Sequence, residues 1–134
     1  MNLFQLVYAS RPFGFDDAML NGILMSARAN NTRDDITGAL ICRADIYLQL
    51  LEGPQRAIEA AYSRIARDDR HLDIHRRFCA PATERLFPQW AMRDDPARSW
   101  MWTPEEVAAG AAARATREQL LAVFARVAAE PADT

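Results

Sequence analysis

Tyr8, Asn31 and Gln49 are the residues whose types and settings invite chemistry in this chain of 134 residues. Gln49 stands in Ile46-Tyr47-Leu48-Gln49-Leu50-Leu51, a run apolar on both sides of a strand's pleat, so a strand there buries an amide that needs partners. Tyr8 holds a comparable place in the run from Leu3 to Ser10, where a buried phenol hydroxyl normally finds a hydrogen bond. Read singly, each also suits a wetted strand edge. With Asn31 at the end of the first helical pattern, the set offers donors and acceptors that match a ligand whose edge alternates carbonyl and N–H groups.

A flavin ring carries such an edge. Its flat apolar body suits a slot between two helices, and its phosphates call for arginines nearby. Other chemistries fall away on composition. All 16 basic residues are arginine, which excludes a Schiff-base lysine, a phosphate-loop lysine and a Ser-Lys pair. Against 18 acidic residues they leave a net charge of −2, which gives no attraction to nucleic-acid backbones. No G-x-S-x-G and no nucleophile-base-orienter set is visible, and His71 and His75 straddle an expected helix-to-strand junction, so neither a hydrolase nor a metal pair is supported. Cys42 and Cys79 form no CxxC or zinc cage. With no basic leader and no apolar run near the roughly 18 residues of a membrane span, a reduced, cytoplasmic setting is expected.

The elements that must position these residues follow from the hydrophobic pattern. Half the residues are hydrophobic and a quarter charged, with 5 Gly and 7 Pro, the profile of one ordinary domain. Residues 3–10 read as a strand stopped by Arg11-Pro12-Phe13-Gly14. Asp16 or Asp17 caps a helix whose apolar residues Met19, Leu20, Ile23, Leu24 and Ala27 recur until Asn30-Asn31 ends the pattern. Ile36–Cys42 and Ile46–Leu51 form a hairpin over Arg43-Ala44-Asp45, and Glu52-Gly53-Pro54 breaks its second strand. Pro54 suits the first turn of a second helix carrying Ile58, Ala61, Tyr62 and Ile65.

Ile74–Ala80 reads as a fourth strand and Leu86–Met92 as a fifth, at a sheet edge because of Pro88. The order βαββαββ predicts an α+β, ferredoxin-like sandwich with two helices on one sheet face. Thr103-Pro104-Glu105-Glu106 and the capping box Thr116 to Gln119 start two further short helices, expected to cover the other face.

Five segments in this order resemble the BLUF domain, a blue-light sensor that uses flavin adenine dinucleotide (FAD). They are Val7-Tyr8-Ala9-Ser10, the stretch from Asn30 to Leu40, Gln49-Leu50-Leu51-Glu52-Gly53, Arg67-Asp68-Asp69-Arg70-His71 and Phe87-Pro88-Gln89-Trp90-Ala91-Met92. The resemblance runs from about Leu3 to Met92 and implies a sensor over residues 1–95 with a helical extension over 96–134. It implies FAD as cofactor, with FMN or riboflavin able to replace it in recombinant protein. Tyr8 resembles the photoactive tyrosine and Gln49 the glutamine between it and the flavin. Asn31 is similar to the asparagine that holds the ring's C4 carbonyl and N3–H edge, and Ile23, Arg64, Asp68, Arg70 and His71 match positions around the flavin. Trp90 and Met92 fall on the two fifth-strand positions that compete for the place near Gln49, and Ser10 matches a serine near that tryptophan.

What the resemblance implies is a photoreceptor without enzymatic turnover. The excited flavin is a strong oxidant, Tyr8 supplies an electron and then a proton through Gln49, and a rotated or tautomerised Gln49 outlasts the recombination. Residues 104–130 are too short for a cyclase or phosphodiesterase, so output is expected through a separate effector protein or through self-association as a homo-oligomer. The surface expected to carry it is the face of the fifth strand and the C-terminal helices. Two other classes share the scaffold: a small-molecule regulatory module without photochemistry, and an acylphosphatase-like hydrolase using an arginine and an asparagine.

Overall fold

The structure, a computed structural model, describes residues 3–14 and 16–131; residues 1, 2, 15 and 132–134 of the expected segments lie outside it. Ten elements follow in chain order: β1 (Leu3–Pro12), α1 (Asp17–Asp34), β2 (Thr37–Arg43), β3 (Ile46–Pro54), α2 (Gln55–Ala66), β4 (His71–Pro81), β5 (Arg93–Pro96), α3 (Pro104–Ala108), α4 (Ala111–Arg114) and α5 (Arg117–Ala129). One five-stranded sheet has the order β4-β1-β3-β2-β5. β3 lies between β1 and β2 and antiparallel to both, as in a split βαβ sandwich, while β5 adds to the β2 edge in parallel.

Both faces of the sheet are covered, which is why its central strands read as continuous apolar runs. Leu6, Tyr8, Leu40, Tyr47 and Leu51 face α1 and α2, where they pack with Leu24, Ile58 and Ala61. Val7, Ala39, Ile41, Leu48 and Leu50 face the C-terminal helices and pack with Ala112, Leu120, Phe124 and Val127. The antiparallel register sets Tyr8 directly opposite Gln49 on one side and Leu40 opposite it on the other. A slip of one residue would turn all three to the other face, so burial of both faces fixes this alignment. Gly38 allows the close approach of β2 to β3, because a Cβ there would stand 1.9 Å from the Leu50 carbonyl oxygen.

Several boundaries differ from the sequence expectation. α1 begins at the expected cap, Asp16 Oδ1 accepting from the Met19 N–H at 2.7 Å, but runs past Asn30-Asn31 to Asp34 and stops where Asp35 turns left-handed at φ 60°. β3 continues through Glu52-Gly53-Pro54, because Leu3 to Gln5 on β1 pair with those residues. Pro54 stands just before α2 rather than in its first turn. His71 and His75 both lie within β4, which starts three residues earlier than expected. Leu86–Met92 is not a strand: the segment is a loop, and β5 is the charged stretch Arg93-Asp94-Asp95-Pro96 beyond it. The C-terminal extension holds three helices rather than two, the alanine-rich stretch supplying α4.

The charges of β5 are neutralised on alternate faces. Arg28 of α1 donates to the Met92 carbonyl and to Asp94 Oδ1, both at 3.0 Å. On the other face Asp95, fully buried, lies 2.9 Å from Arg93 and 3.0 Å from Arg98. Arg93 also donates to the Glu130 carbonyl at the end of α5 at 2.8 Å. Burial pushes the Asp95 carboxyl up even with both guanidinium groups beside it.

Candidate functional site

A cleft with about 780 Å³ of non-atom space, part of it open to solvent, lies between α1 and α2 over the sheet. Ile23, Ala27, Leu40, Leu51, Ala61 and Ile65 make much of its lining apolar. Asn31 enters from the last turns of α1, Tyr8 and Gln49 from the sheet, and Arg64, Asp68, Arg70 and His71 from the end of α2 and the start of β4. All eight residues expected at the photoactive and cofactor positions therefore line one cleft.

Tyr8 and Gln49 of its lining continue into a buried polar line with Met92. The Tyr8 hydroxyl donates to Gln49 Oε1, and Gln49 Nε2 donates to the Met92 sulfur at 3.2 Å. Burial, with a smaller contribution from the Asp68 carboxylate, raises the Tyr8 pKa, so the phenol keeps its proton and remains a donor. Tyr8 is held by ring contacts with Tyr62 at 5.9 Å and, edge-on, with His71 at 6.0 Å. His71 Nε2 lies 2.8 Å from the Ile65 carbonyl, an acceptor only, so that nitrogen carries a hydrogen and Nδ1 is left for the Ser10 hydroxyl at 2.7 Å. His71 is thus an orienting wall behind Tyr8.

Asn31 is buried and donates from Nδ2 to the Ala91 carbonyl at 2.8 Å. That bond uses one of the amide's two donor hydrogens and leaves its acceptor for other use. The two arginines stand at the cleft's rims. Arg64 Nη2 lies 3.4 Å from Asp34 at the end of α1, while Arg70 is held by Asp68 through bonds of 2.5 to 3.1 Å and reaches α1 beside Gly22. The Arg70 guanidinium holds the Asp68 carboxyl below the usual carboxylate range.

The three residues expected to signal separate. Met92 is buried against Gln49, whereas Trp90 is 40 % exposed and touches the sheet through its carbonyl, which accepts from the Gly38 N–H at 3.1 Å. Neither lies on the fifth strand, since both precede it. Ser10 stands on β1 beside His71 rather than near Trp90, which sits at the β2 edge with β3 between them. Arg28 escaped the sequence reading although it lies one helical turn before Asn31, on the same face of α1, and grips the adjoining backbone at Met92. Tyr47 was missed as well: its alternation with Gln49 and Leu51 along β3 was the available signal.

The donor set fits a flavin dinucleotide: a slot with apolar walls, buried amides from Asn31 and Gln49 toward a ring edge, and guanidinium groups from Arg64 and Arg70 at the rims for phosphates. Cys42 and Cys79 take no part. They are free, their strands are separated by β1 and β3, and three strand spacings of about 4.8 Å hold them too far apart to be bridged. Among the described residues no cluster suited to a metal ion is present, and no helix is long and apolar enough to cross a membrane.

Comparison with known proteins agrees with this geometry. The chain is 36% identical over 85 residues to the photoactivated adenylate cyclase subunit beta of Euglena gracilis, covering 63% of this chain and 10% of that protein. It is 35% identical over 66 residues to the blue light- and temperature-regulated antirepressor BluF of Escherichia coli (strain K12), covering 49% of this chain and 16% of that one. The chain thus spans a small fraction of these curated relatives. Among solved structures, the dark state of BlrB, a BLUF protein, superposes with a TM-score of 0.77 at 28% identity over 96% of each chain. The family described as BLUF, sensors of blue-light using FAD, matches residues 3–93, the span that builds strands β1 to β4, both helices flanking the cleft and the cleft between them, and the chain belongs to that family.

Proposed function

We propose that this protein senses blue light through a bistable Gln49 amide and passes the change to the C-terminal helices through β5, without enzymatic turnover of its own. The observation that carries the reading is the buried line Tyr8–Gln49–Met92, whose first two members line the cleft and in which a single amide faces a donor on one side and an acceptor on the other. FAD bound in the cleft supplies absorption of blue light and, once excited, oxidising power.

The remaining work falls to the chain's residues. Asn31 and the rim arginines Arg64 and Arg70 hold and orient the cofactor, Ile23 packs on it, and Asp68 keeps Arg70 in place. Tyr8 Oη holds its proton against Gln49 Oε1, so that proton would leave along this bond as the phenol gives up an electron and return as it regains one. Gln49 then has two arrangements. In the one seen, its oxygen meets the Tyr8 hydroxyl and its N–H₂ meets the Met92 sulfur. Rotated, its N–H₂ faces Tyr8 and its oxygen faces a thioether, which cannot donate. Because a buried unmade hydrogen bond costs about 1–3 kcal/mol, the two arrangements place different demands on Met92.

β5 suits the output. Met92 and Asp94 face α1, whereas Arg93 and Asp95 join Arg98 and Glu130 at the end of α5. A shift at Met92 is thereby felt on both layers. This arrangement supports delivery to a separate effector protein, or to a second copy of the chain, through the β5 face and the C-terminal helices. The two free cysteines suit a reducing cytoplasm.

The test is an absorption spectrum of the purified protein in the dark and after blue light. A flavin band that shifts to the red and relaxes in the dark is the expected result; a flavin band without a shift sinks the photochemical reading, and a colourless folded protein that refuses FAD favours a regulatory module. Asn31→Ala is expected to weaken FAD binding about tenfold, since it deletes one complementary amide worth about 1.4 kcal/mol. Titration of apoprotein with FAD measures this. Wild-type affinity together with an unchanged spectrum removes Asn31 from the site.

A further inference from the structure

Glu52 lies on the opposite face of the sheet from the cleft, and none of the roles above uses it. It is fully buried, and its carboxylate accepts four hydrogen bonds. Two come from the sheet: Gln5 Nε2 at 2.9 Å and Thr37 Oγ1 at 3.3 Å, from residues standing directly opposite Glu52 on β1 and β2. The other two come from the backbone of the loop between β4 and β5, the Leu86 N–H at 2.6 Å and the Phe87 N–H at 2.9 Å.

That loop joins the two layers of the protein. Phe87 is buried on the extension face, edge-on to Phe124 of α5 at 6.4 Å. The chain then crosses the β2 edge, where the Trp90 carbonyl accepts from Gly38, and arrives on the cleft face. There the Ala91 carbonyl takes the Asn31 bond and the Met92 sulfur takes the Gln49 bond.

We propose that Glu52 is a positioning residue: its carboxylate fixes the loop on one face of the sheet and so sets the place of the Met92 sulfur against the Gln49 amide on the other. The inference rests on the reading of Gln49 as the switching amide. The chemistry calls for a carboxylate, because four donors converge on it and both of its oxygens only accept. An amide of the same shape offers one oxygen and turns an N–H₂ toward donors, of which the backbone N–H groups cannot reorient. Arg85, from the same loop, reinforces the anchor by donating to Thr37 Oγ1 at 2.9 Å and to the Glu52 carbonyl at 3.1 Å.

The test is Glu52→Gln in the full chain loaded with FAD. It is read by the Met92 methyl resonance in the dark protein and by the lifetime of the red-shifted form, with Tm alongside. The methyl resonance is expected to move and recovery to slow about tenfold, the rate equivalent of about 1.4 kcal/mol, because a returning Gln49 amide no longer finds the sulfur in place. Gln5→Leu removes a sheet-side donor and leaves both loop bonds. It is expected to lower Tm with the methyl resonance and lifetime at their wild-type values.

A Glu52→Gln protein that melts lower but keeps either the wild-type methyl resonance or the wild-type lifetime overturns the proposal. If that variant does not fold, amide exchange of the wild-type protein decides: the Leu86 and Phe87 N–H groups must exchange as slowly as those of the β3 core, and fast exchange overturns it. The dark resonance and the exchange rates do not depend on photochemistry, so a wild-type protein lacking the red shift fails the Gln49 reading separately.

Discussion

Gln49→Leu is expected to abolish the light-induced red shift while the protein still folds and retains FAD. Leucine has about the same bulk and, at a position only 3% exposed, fills the space between Tyr8 and Met92. Cofactor retention survives because Asn31, Ile23, Arg64 and Arg70 line the cleft independently. What disappears is the amide, and with it any second arrangement of hydrogen bonds on the cleft floor. The Tyr8 hydroxyl loses its acceptor and stays buried, so stability should fall by about 1–3 kcal/mol. Absorption spectra before and after illumination, with a denaturant titration, measure both effects. A variant that keeps a normal red shift would falsify the assignment of Gln49 as the switch.

The site was legible in the sequence to the extent that it consists of polar residues out of place. Tyr8 and Gln49 sit in runs that a two-sided sheet buries, and the structure brings them face to face in the β1–β3 register. Met92 was ambiguous for a physical reason: whether it or Trp90 reaches Gln49 depends on how a loop crosses the sheet edge, and residue order does not encode that. The same loop explains the misplaced fifth strand. Leu86, Phe87 and Met92 look like one apolar strand, yet Phe87 is buried on the extension face and Met92 on the cleft face, with Pro88 and a turn between them.

The true β5 carries Arg93, Asp94 and Asp95, residues that strand propensity disfavours. It forms because β2 offers a parallel edge and because Arg28 and Arg98 neutralise its carboxylates from opposite faces. Tertiary pairing likewise carries β3 through Gly53 and Pro54, which read locally as a stop. By contrast, the N-terminal caps of α1, α3 and α5 were readable, because each is a local hydrogen bond between residues three apart.

Tyr8→Phe should bind FAD, keep the fold and lose the photocycle. The phenyl ring preserves the contacts with Tyr62 and His71, so the wall of the cleft stays in place. Only the hydroxyl goes, and with it the proton at the start of the line to Gln49 Oε1. The same phenol should leave a signature in the pH dependence of stability. Its pKa is raised in the folded protein by burial first and then by Asp68, whereas in the unfolded chain a tyrosine titrates near 10. The folded state therefore binds the proton more tightly, and the stability Tyr8 contributes is fully present below about pH 10 and declines as pH rises above it. Tyr8→Phe should accordingly lose less stability than the wild type over that alkaline window, while the wild-type red shift stays constant across neutral pH because Tyr8 never ionises there. Unfolding midpoints against pH and difference spectra at neutral pH check the two halves. A photocycle that persists in Tyr8→Phe would remove the phenol from the mechanism and leave the Gln49 amide to be driven by another residue of the cleft.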